Sequence, residues 1–401
     1  MCGVKRERGV WQVTSIKIPY ALKLAISTAL ISKFAVFAIA YASTYFTNGG
    51  PTDPGYILLH ELVRWDSQQY LRIAQFGYVN QGDAANGIVF FPFYPYLIRM
   101  ITFDFNYANL SGLIISSVCS ILTVVYLFKL VKLDYNDSVA KKTILFLSIF
   151  PTAVFLSAVY TESVFLVLTI ASLYYARKSN WPLAGLLGIL SALTRITGLV
   201  LVPALAVEYL YQKKWIIKLR RKLSLDGFRA YTIKFEVLDK KLLWSIVPLA
   251  GFLIYLFINL MVTGNPLAFA SVQSTHYFET INPLAGWKSA IGHWTTASYP
   301  DNLMIGVYQA IFATFGYLMI VAAYKLKLRP SYQICMFFTW FFAVSTSFWL
   351  SVPRYILIVF PQFIVLGLLS TRKSVTIAIT VLSLVGFVYY TWCFATGQWI
   401  A

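Results

Sequence analysis

The sequence predicts an all-α, polytopic membrane protein, and three observations carry that expectation. Of the 401 residues, 59% are hydrophobic and only 12% charged, where a soluble domain carries about 25% charged residues. Mean hydropathy is +0.68. Apolar runs recur along the whole chain, at about 20–45, 109–131, 143–157, 163–176, 182–211, 242–262, 304–324, 332–351, 354–370 and 374–397, several of them long enough to cross a bilayer as a helix.

The N-terminal ten residues are basic, but the apolar run that follows is long enough to span and lacks a small-residue cleavage site, so no cleavable signal peptide is expected. Within that first run Lys23 can snorkel to the surface, whereas Lys33 sits deep with no evident partner. With the N-terminus cytoplasmic, most of the 33 lysines and arginines fall in cytoplasmic loops, above all in the basic stretch 212–241. The net charge of +18 is therefore a positive-inside signature, with attraction to anionic membrane lipid as a second consequence. It does not call for nucleic acid. This topology requires that 182–211 not cross once. Its break at Thr194-Arg195-Ile196-Thr197-Gly198 puts β-branched residues and glycine around a charge, which weakens a helix. Two short helices entering and leaving on the cytoplasmic side satisfy the charge pattern. The expectation is one domain over 1–401 with about 11 membrane or half-membrane helices, a first external loop at 46–108 carrying interfacial helices, and a second at 263–303. The cysteines Cys2, Cys119, Cys335 and Cys393 are scattered without metal-ligand or disulfide spacing and read as small hydrophobes.

Ionisable residues within or beside membrane segments are functional candidates by default. In Arg64-Trp65-Asp66-Ser67-Gln68-Gln69-Tyr70 a carboxylate follows the first span, and helical spacing puts Gln69 and Tyr70 on its face. This segment reads either as an interfacial helix anchored by Trp and Tyr or as the bearer of a catalytic acid. Arg195 lies at the helix break and either satisfies loosened carbonyls or meets a ligand. Arg354, beside Tyr355 and after Pro353, either anchors a helix end or clamps a phosphate. Glu162 follows Thr161 at a tight turn and is either a helix cap or part of a site. The aromatic-proline run Phe90–Pro95 reads as a rigid, lipid-contacting interfacial segment. No P-loop, dinucleotide fingerprint, zinc-peptidase motif or serine elbow is present. One external carboxylate and two arginines suit attack of a hydroxyl on a phosphate-activated centre, with Asp66 as general base and Arg195 and Arg354 holding the leaving phosphate. Phosphate leaves without a proton, so no second acid is needed, and neither is a cofactor or metal.

At these residues the chain resembles the PIG-V family of mannosyltransferases. The matching motifs are Arg64-Trp65-Asp66 with Tyr70-Leu71-Arg72-Ile73-Ala74 and Gly77-Tyr78, the Phe90–Pro95 run, Tyr160-Thr161-Glu162-Ser163, Leu193-Thr194-Arg195 with Gly198, and Pro353-Arg354-Tyr355. The resemblance implies a GT-C-type helical bundle. It also implies an inverting hexosyl transfer, of mannose in the eukaryotic members, from a polyprenyl-phosphate (dolichyl-phosphate) donor to a hydroxyl of a glycolipid or lipid-linked acceptor. Transfer would take place on the extracytoplasmic or luminal face, of the plasma membrane in a prokaryote or the endoplasmic reticulum in a eukaryote. An Asp early in the first external loop is the base in GT-C enzymes, which maps onto Asp66. Arg64, Trp65, Gln69, Tyr70, Glu162 and Tyr355 are then the sugar and acceptor candidates. Eukaryotic relatives carry His at the position of Gln69. Some members use a divalent metal, which the residues here do not demand. A transporter of lipid-linked sugar, with no transferase activity, is the rival reading.

Overall fold

The computed structural model of the chain describes residues 4–7, 10–13, 20–51, 53–214, 239–275 and 283–400. Most of the basic stretch 212–241 and part of the loop 263–303 thus lie outside the described residues. The fold is helical, as the composition predicts. A short antiparallel pair, β1 (Val4–Glu7) and β2 (Val10–Val13), precedes the first helix; the apolar pattern gave no sign of it.

The helices are α1 (Tyr20–Asn48), α2 (Asp66–Phe76), α3 (Phe93–Ile101), α4 (Ala108–Val131), α5 (Asp137–Ser148), α6 (Glu162–Arg177), α7 (Trp181–Thr194) and α8 (Leu201–Gln212). After the undescribed stretch come α9 (Pro248–Thr263), α10 (Ala268–Thr275), α11 (Pro283–Thr296), α12 (Tyr308–Lys325), α13 (Pro330–Val344), α14 (Val352–Leu357), α15 (Pro361–Leu369) and α16 (Lys373–Ala395). Among the described residues, four helical stretches are long and apolar enough to cross a membrane: Leu22–Thr47, Phe105–Val131, Asn302–Lys325 and Lys373–Ala395. The other apolar runs are divided into shorter helices. One pair, α9 and α10, is bent by 79° at Gly264, whose φ of +74° ends α9 in the left-handed conformation. Buried Asn259 stitches that corner, donating to the Tyr255 carbonyl at 2.9 Å and accepting from the Phe269 amide at 3.1 Å.

Helix α6 is the hub. Every residue from Glu162 to Leu173 is buried, as expected of a helix apolar on all faces. It packs between α4 and α7, and α9 lies on the far side of α7. There Gly251 presses so close to α7 that a Cβ would sit 2.3 Å from the Ile189 carbonyl oxygen, the small-residue contact that membrane helices use in place of hydrophobic drive. Lys33 has its explanation here. Its Nζ donates to the Leu156 carbonyl (3.2 Å) and the Ser157 hydroxyl (3.4 Å), capping the 3-10 turn Ala153–Leu156.

Two segments differ from expectation. The Phe90–Pro95 run faces protein: Phe91, Tyr94 and Pro95 are buried, and the Tyr94 hydroxyl bonds Ser116 Oγ at 2.8 Å. A phenol with such a partner is stable inside α4's packing surface, so the run is an internal brace. The end of α6 remote from Glu162 carries an ion cluster that spacing did not reveal. Arg177 grips Asp134 through both Nη atoms (2.5 and 2.8 Å), and Arg329 grips Glu208 through Nε and Nη2 (2.7 and 2.6 Å). This cluster fastens together the ends of α4, α6, α8 and α13.

Candidate active site

At the opposite end of α6, three chain breaks bring four charges together. The first is the corner before α2. Trp65 has φ +48° and ψ −109°, a conformation costing a bulky residue on the order of 1–3 kcal/mol. It turns the chain so that Asp66 opens α2. The second is the turn Tyr160-Thr161, which delivers Glu162 as the first residue of α6. The third is the break between α7 and α8, where Arg195 is extended (φ −156°, ψ 148°) before the 3-10 turn Ile196–Val200. Gly198 makes that break feasible, since a Cβ there would lie 2.4 Å from the backbone of Ser191 and Ala192. Arg354 arrives from short α14, started by Pro353.

The four side chains form one connected network. Glu162 Oε1 accepts from Arg195 Nη1 at 2.8 Å and from Arg354 Nε at 2.5 Å. Arg354 Nη1 donates to Asp66 Oδ2 at 2.5 Å. Arg195 Nη1 also donates to Thr161 Oγ1 at 2.8 Å. Two carboxylates and two guanidiniums make the cluster formally neutral, which is what allows it to be buried. Side-chain exposure separates the members: 0% for Glu162, 6% for Arg354 and 12% for Arg195, but 30% for Asp66. Asp66 is the most exposed member. Aromatic faces back the cations. Arg354 lies over Tyr160 (4.6 Å), Phe155 (5.5 Å) and Tyr355 (5.8 Å), and Arg195 over Tyr355 (5.3 Å).

Asp66, Glu162, Arg195, Arg354 and Tyr355 thus form one connected set, joined through the two arginines. Tyr70 is buried next to them, its ring edge-on to Phe90, Tyr94 and Tyr160. Burial pushes its hydroxyl above the usual phenol range, with the Arg354 charge pulling the other way. Gln69 is half-buried, and its Oε1 has no partner among the described residues. Two candidates point elsewhere. Arg64 pairs with the Glu61 carboxylate and donates to the Ala395 carbonyl (2.8 Å), which ties it to the end of α16. The Trp65 ring packs on Phe394 and Trp399, each at 5.2 Å. Sequence reasoning quoted Tyr160 only as part of the Tyr160-Thr161-Glu162-Ser163 motif, with no role of its own, and passed over Phe155, which sits in an apolar stretch where ring orientation has no signal. Among the described residues no three of His, Cys, Asp or Glu gather to hold a metal ion, and both carboxylates of the cluster are already engaged by guanidinium groups.

Comparison with known proteins bears on the chemistry. Residues 91–228 match the family described as dolichyl-phosphate-mannose-protein mannosyltransferase. GPI mannosyltransferase 2 of Yarrowia lipolytica is 25% identical over 178 residues, which are 44% of this chain and 48% of that protein. Both matches point to a glycosyltransferase of the GT-C type. The aligned part spans about half the length of the Yarrowia protein. The matched stretch 91–228 contains two members of the ion cluster, Glu162 and Arg195, while Asp66 and Arg354 flank it. Among solved structures, the chain is similar to the apo crystal structure of the Archaeoglobus fulgidus oligosaccharyltransferase, with TM-score 0.43, 12% identity, and 96% of this chain and 57% of that one covered.

Proposed function

We propose that this protein transfers a hexose, in the first instance mannose, from a polyprenyl phosphate to a hydroxyl of a glycolipid or lipid-linked acceptor, on the extracytoplasmic face. The observation that carries the reading is the contact between Asp66 and Arg354: the one solvent-accessible acid of the cluster touches a guanidinium that suits a phosphate. The acceptor oxygen attacks the anomeric carbon from the face opposite the phosphate, so a new glycosidic bond forms with inversion as the carbon–phosphate-oxygen bond breaks. Asp66 takes the acceptor's proton. The polyprenyl phosphate departs with the bonding electron pair, and its charge is met by Arg354 and Arg195. Neither cofactor nor metal is required by this scheme. Glu162 holds the two guanidiniums in register, while Gln69, Tyr70 and Tyr355 line the sugar's surroundings.

The arginines are not free cations awaiting a phosphate. Each is already neutralised, so the donor must exchange with a carboxylate. Asp66 is the exchangeable one, being partly exposed and held by a single hydrogen bond. On this reading donor binding loosens Asp66 from Arg354 and so readies it as a base. The test is a transfer assay with purified protein, a radiolabelled polyprenyl-phosphate-mannose donor and a total membrane-lipid extract as acceptor source. Label should move to a new lipid species with the wild type and not with Asp66→Asn. Transfer retained by Asp66→Asn removes Asp66 as the base.

A further inference from the structure

We propose that Tyr160 is a positioning residue with two separable tasks: its hydroxyl fixes the corner that aims Asp66, and its ring holds Arg354. The proposal rests on the reading of Asp66 and Arg354 given above. Tyr160 is 1% exposed and touches both the Arg354 guanidinium and the backbone just before Asp66. Its hydroxyl donates to the carbonyl of Arg64 at 3.0 Å. That carbonyl belongs to the peptide unit leading into Trp65, the residue with φ +48° whose strain sets the direction of α2. The same carbonyl already accepts from the Ser67 amide at 3.0 Å. The phenol is therefore not needed to satisfy a buried acceptor. Its bond is a second tether on a strained corner, one that keeps the peptide from rotating towards an ordinary conformation and swinging Asp66 with it.

The ring does something else. The Arg354 guanidinium sits 4.6 Å from its centroid, while Phe155 and Phe394 pack edge-on against the ring at 4.9 and 6.0 Å. When a phosphate draws Arg354 away from Asp66, this face keeps the cation in place. A phenylalanine at 160 would preserve the packing and the cation–π face and lose only the tether. A leucine would lose both.

The two substitutions therefore differ in kinetic signature. Tyr160→Phe should lower kcat for transfer about tenfold or more, because displacing a reacting group by a fraction of an ångström is enough for that, and should leave donor KM within about twofold. Tyr160→Leu should lower kcat similarly and also weaken donor binding about fivefold or more, by loss of the cation–π contact. Thermal unfolding and size-exclusion profiles of both variants in detergent report whether the fold is kept. Wild-type kcat in Tyr160→Phe overturns the tethering task; equal donor binding in Tyr160→Leu and Tyr160→Phe overturns the cation-holding task. Equilibrium binding of polyprenyl phosphate to both variants, measured without any turnover, reads the second task independently. A wild type that binds polyprenyl phosphate yet transfers nothing counts against the proposed activity, whereas the Leu-to-Phe binding difference would still stand.

Discussion

Neutralising Asp66 should abolish transfer and yet tighten donor binding. In the resting cluster Asp66 Oδ2 occupies Arg354 Nη1 at 2.5 Å, so the carboxylate competes with the donor phosphate for one guanidinium. A charge-assisted hydrogen bond is worth about 1.5–3 kcal/mol. The Asp66 side chain is 30% exposed, so solvent screening reduces what is lost on exchange to about 1 kcal/mol. Asn at 66 keeps the shape and a weaker acceptor but drops the charge. The donor should then bind about fivefold tighter, since 1.4 kcal/mol is a factor of ten. Transfer should fall by at least about a hundredfold, the usual worth of a positioned base. The assay is equilibrium binding of radiolabelled polyprenyl-phosphate-mannose to wild type and Asp66→Asn in the same detergent and salt, with transfer measured in parallel. Weaker donor binding by Asp66→Asn would refute the competition argument, and the reasoning from a neutral cluster with it.

Three further substitutions test the surroundings. Glu162→Gln leaves two buried guanidiniums with one carboxylate between them; loss of a buried partner costs about 3–5 kcal/mol, so a lower thermal unfolding midpoint in detergent is expected, together with weaker transfer. An unchanged midpoint would mean that Glu162 is not the counterion its geometry indicates. Gly198→Ala drives a methyl to within 2.4 Å of the Ser191–Ala192 backbone, so the turn must open and Arg195 must move. Donor KM should rise about tenfold or more, and a wild-type KM would show that the break tolerates a side chain. Glu208→Gln acts at the other end of α6. It should lower the unfolding midpoint while leaving kcat and donor KM of the folded fraction within about twofold; a tenfold kinetic effect would reveal coupling between the two ends.

The helical membrane class was legible because it rests on composition and run length, which survive any detail of packing. Helix count was less legible. An apolar run reads alike whether it makes one span or a helix, a 3-10 turn and a bend, as the stretch from Asp137 through Leu156 does. The weakness at Arg195 showed in the β-branched and glycine residues around it. That Gly198 must lack a side chain is a tertiary fact, set by how tightly the turn folds back on the end of α7. Charge scarcity singled out Asp66, Glu162, Arg195 and Arg354 one at a time. Their mutual contact depends on chain separations of 33 to 288 residues, and no periodicity carries that. Arg64 misled for the same reason: proximity to Asp66 in sequence says nothing about a side chain that turns to Glu61 and the end of α16. The Phe90–Pro95 run misled because an aromatic brace and an aromatic membrane anchor have the same composition.

The two ion clusters at the ends of α6, about 22 Å apart by the rise of a 16-residue helix, supply an internal control for which of them is a site. Each holds two acids and two arginines. In the remote cluster both Glu208 oxygens are doubly engaged, Oε1 by Arg329 and Gln212 and Oε2 by Arg329 and Ser331. Asp134 is gripped through both its oxygens. Such saturation leaves a ligand nothing to take up, and it is what a staple between helices requires. The cluster of Asp66 and Glu162 is built with fewer bonds. Glu162 Oε2 is buried without a partner among the described residues, and Asp66 is held through one oxygen and stays partly open. An incompletely satisfied buried network destabilises a fold. Its persistence beside a saturated twin is hard to account for as architecture. On the proposed reading, Asp66 completes its bonding when donor and acceptor bind, while Glu162 stays with the two guanidiniums.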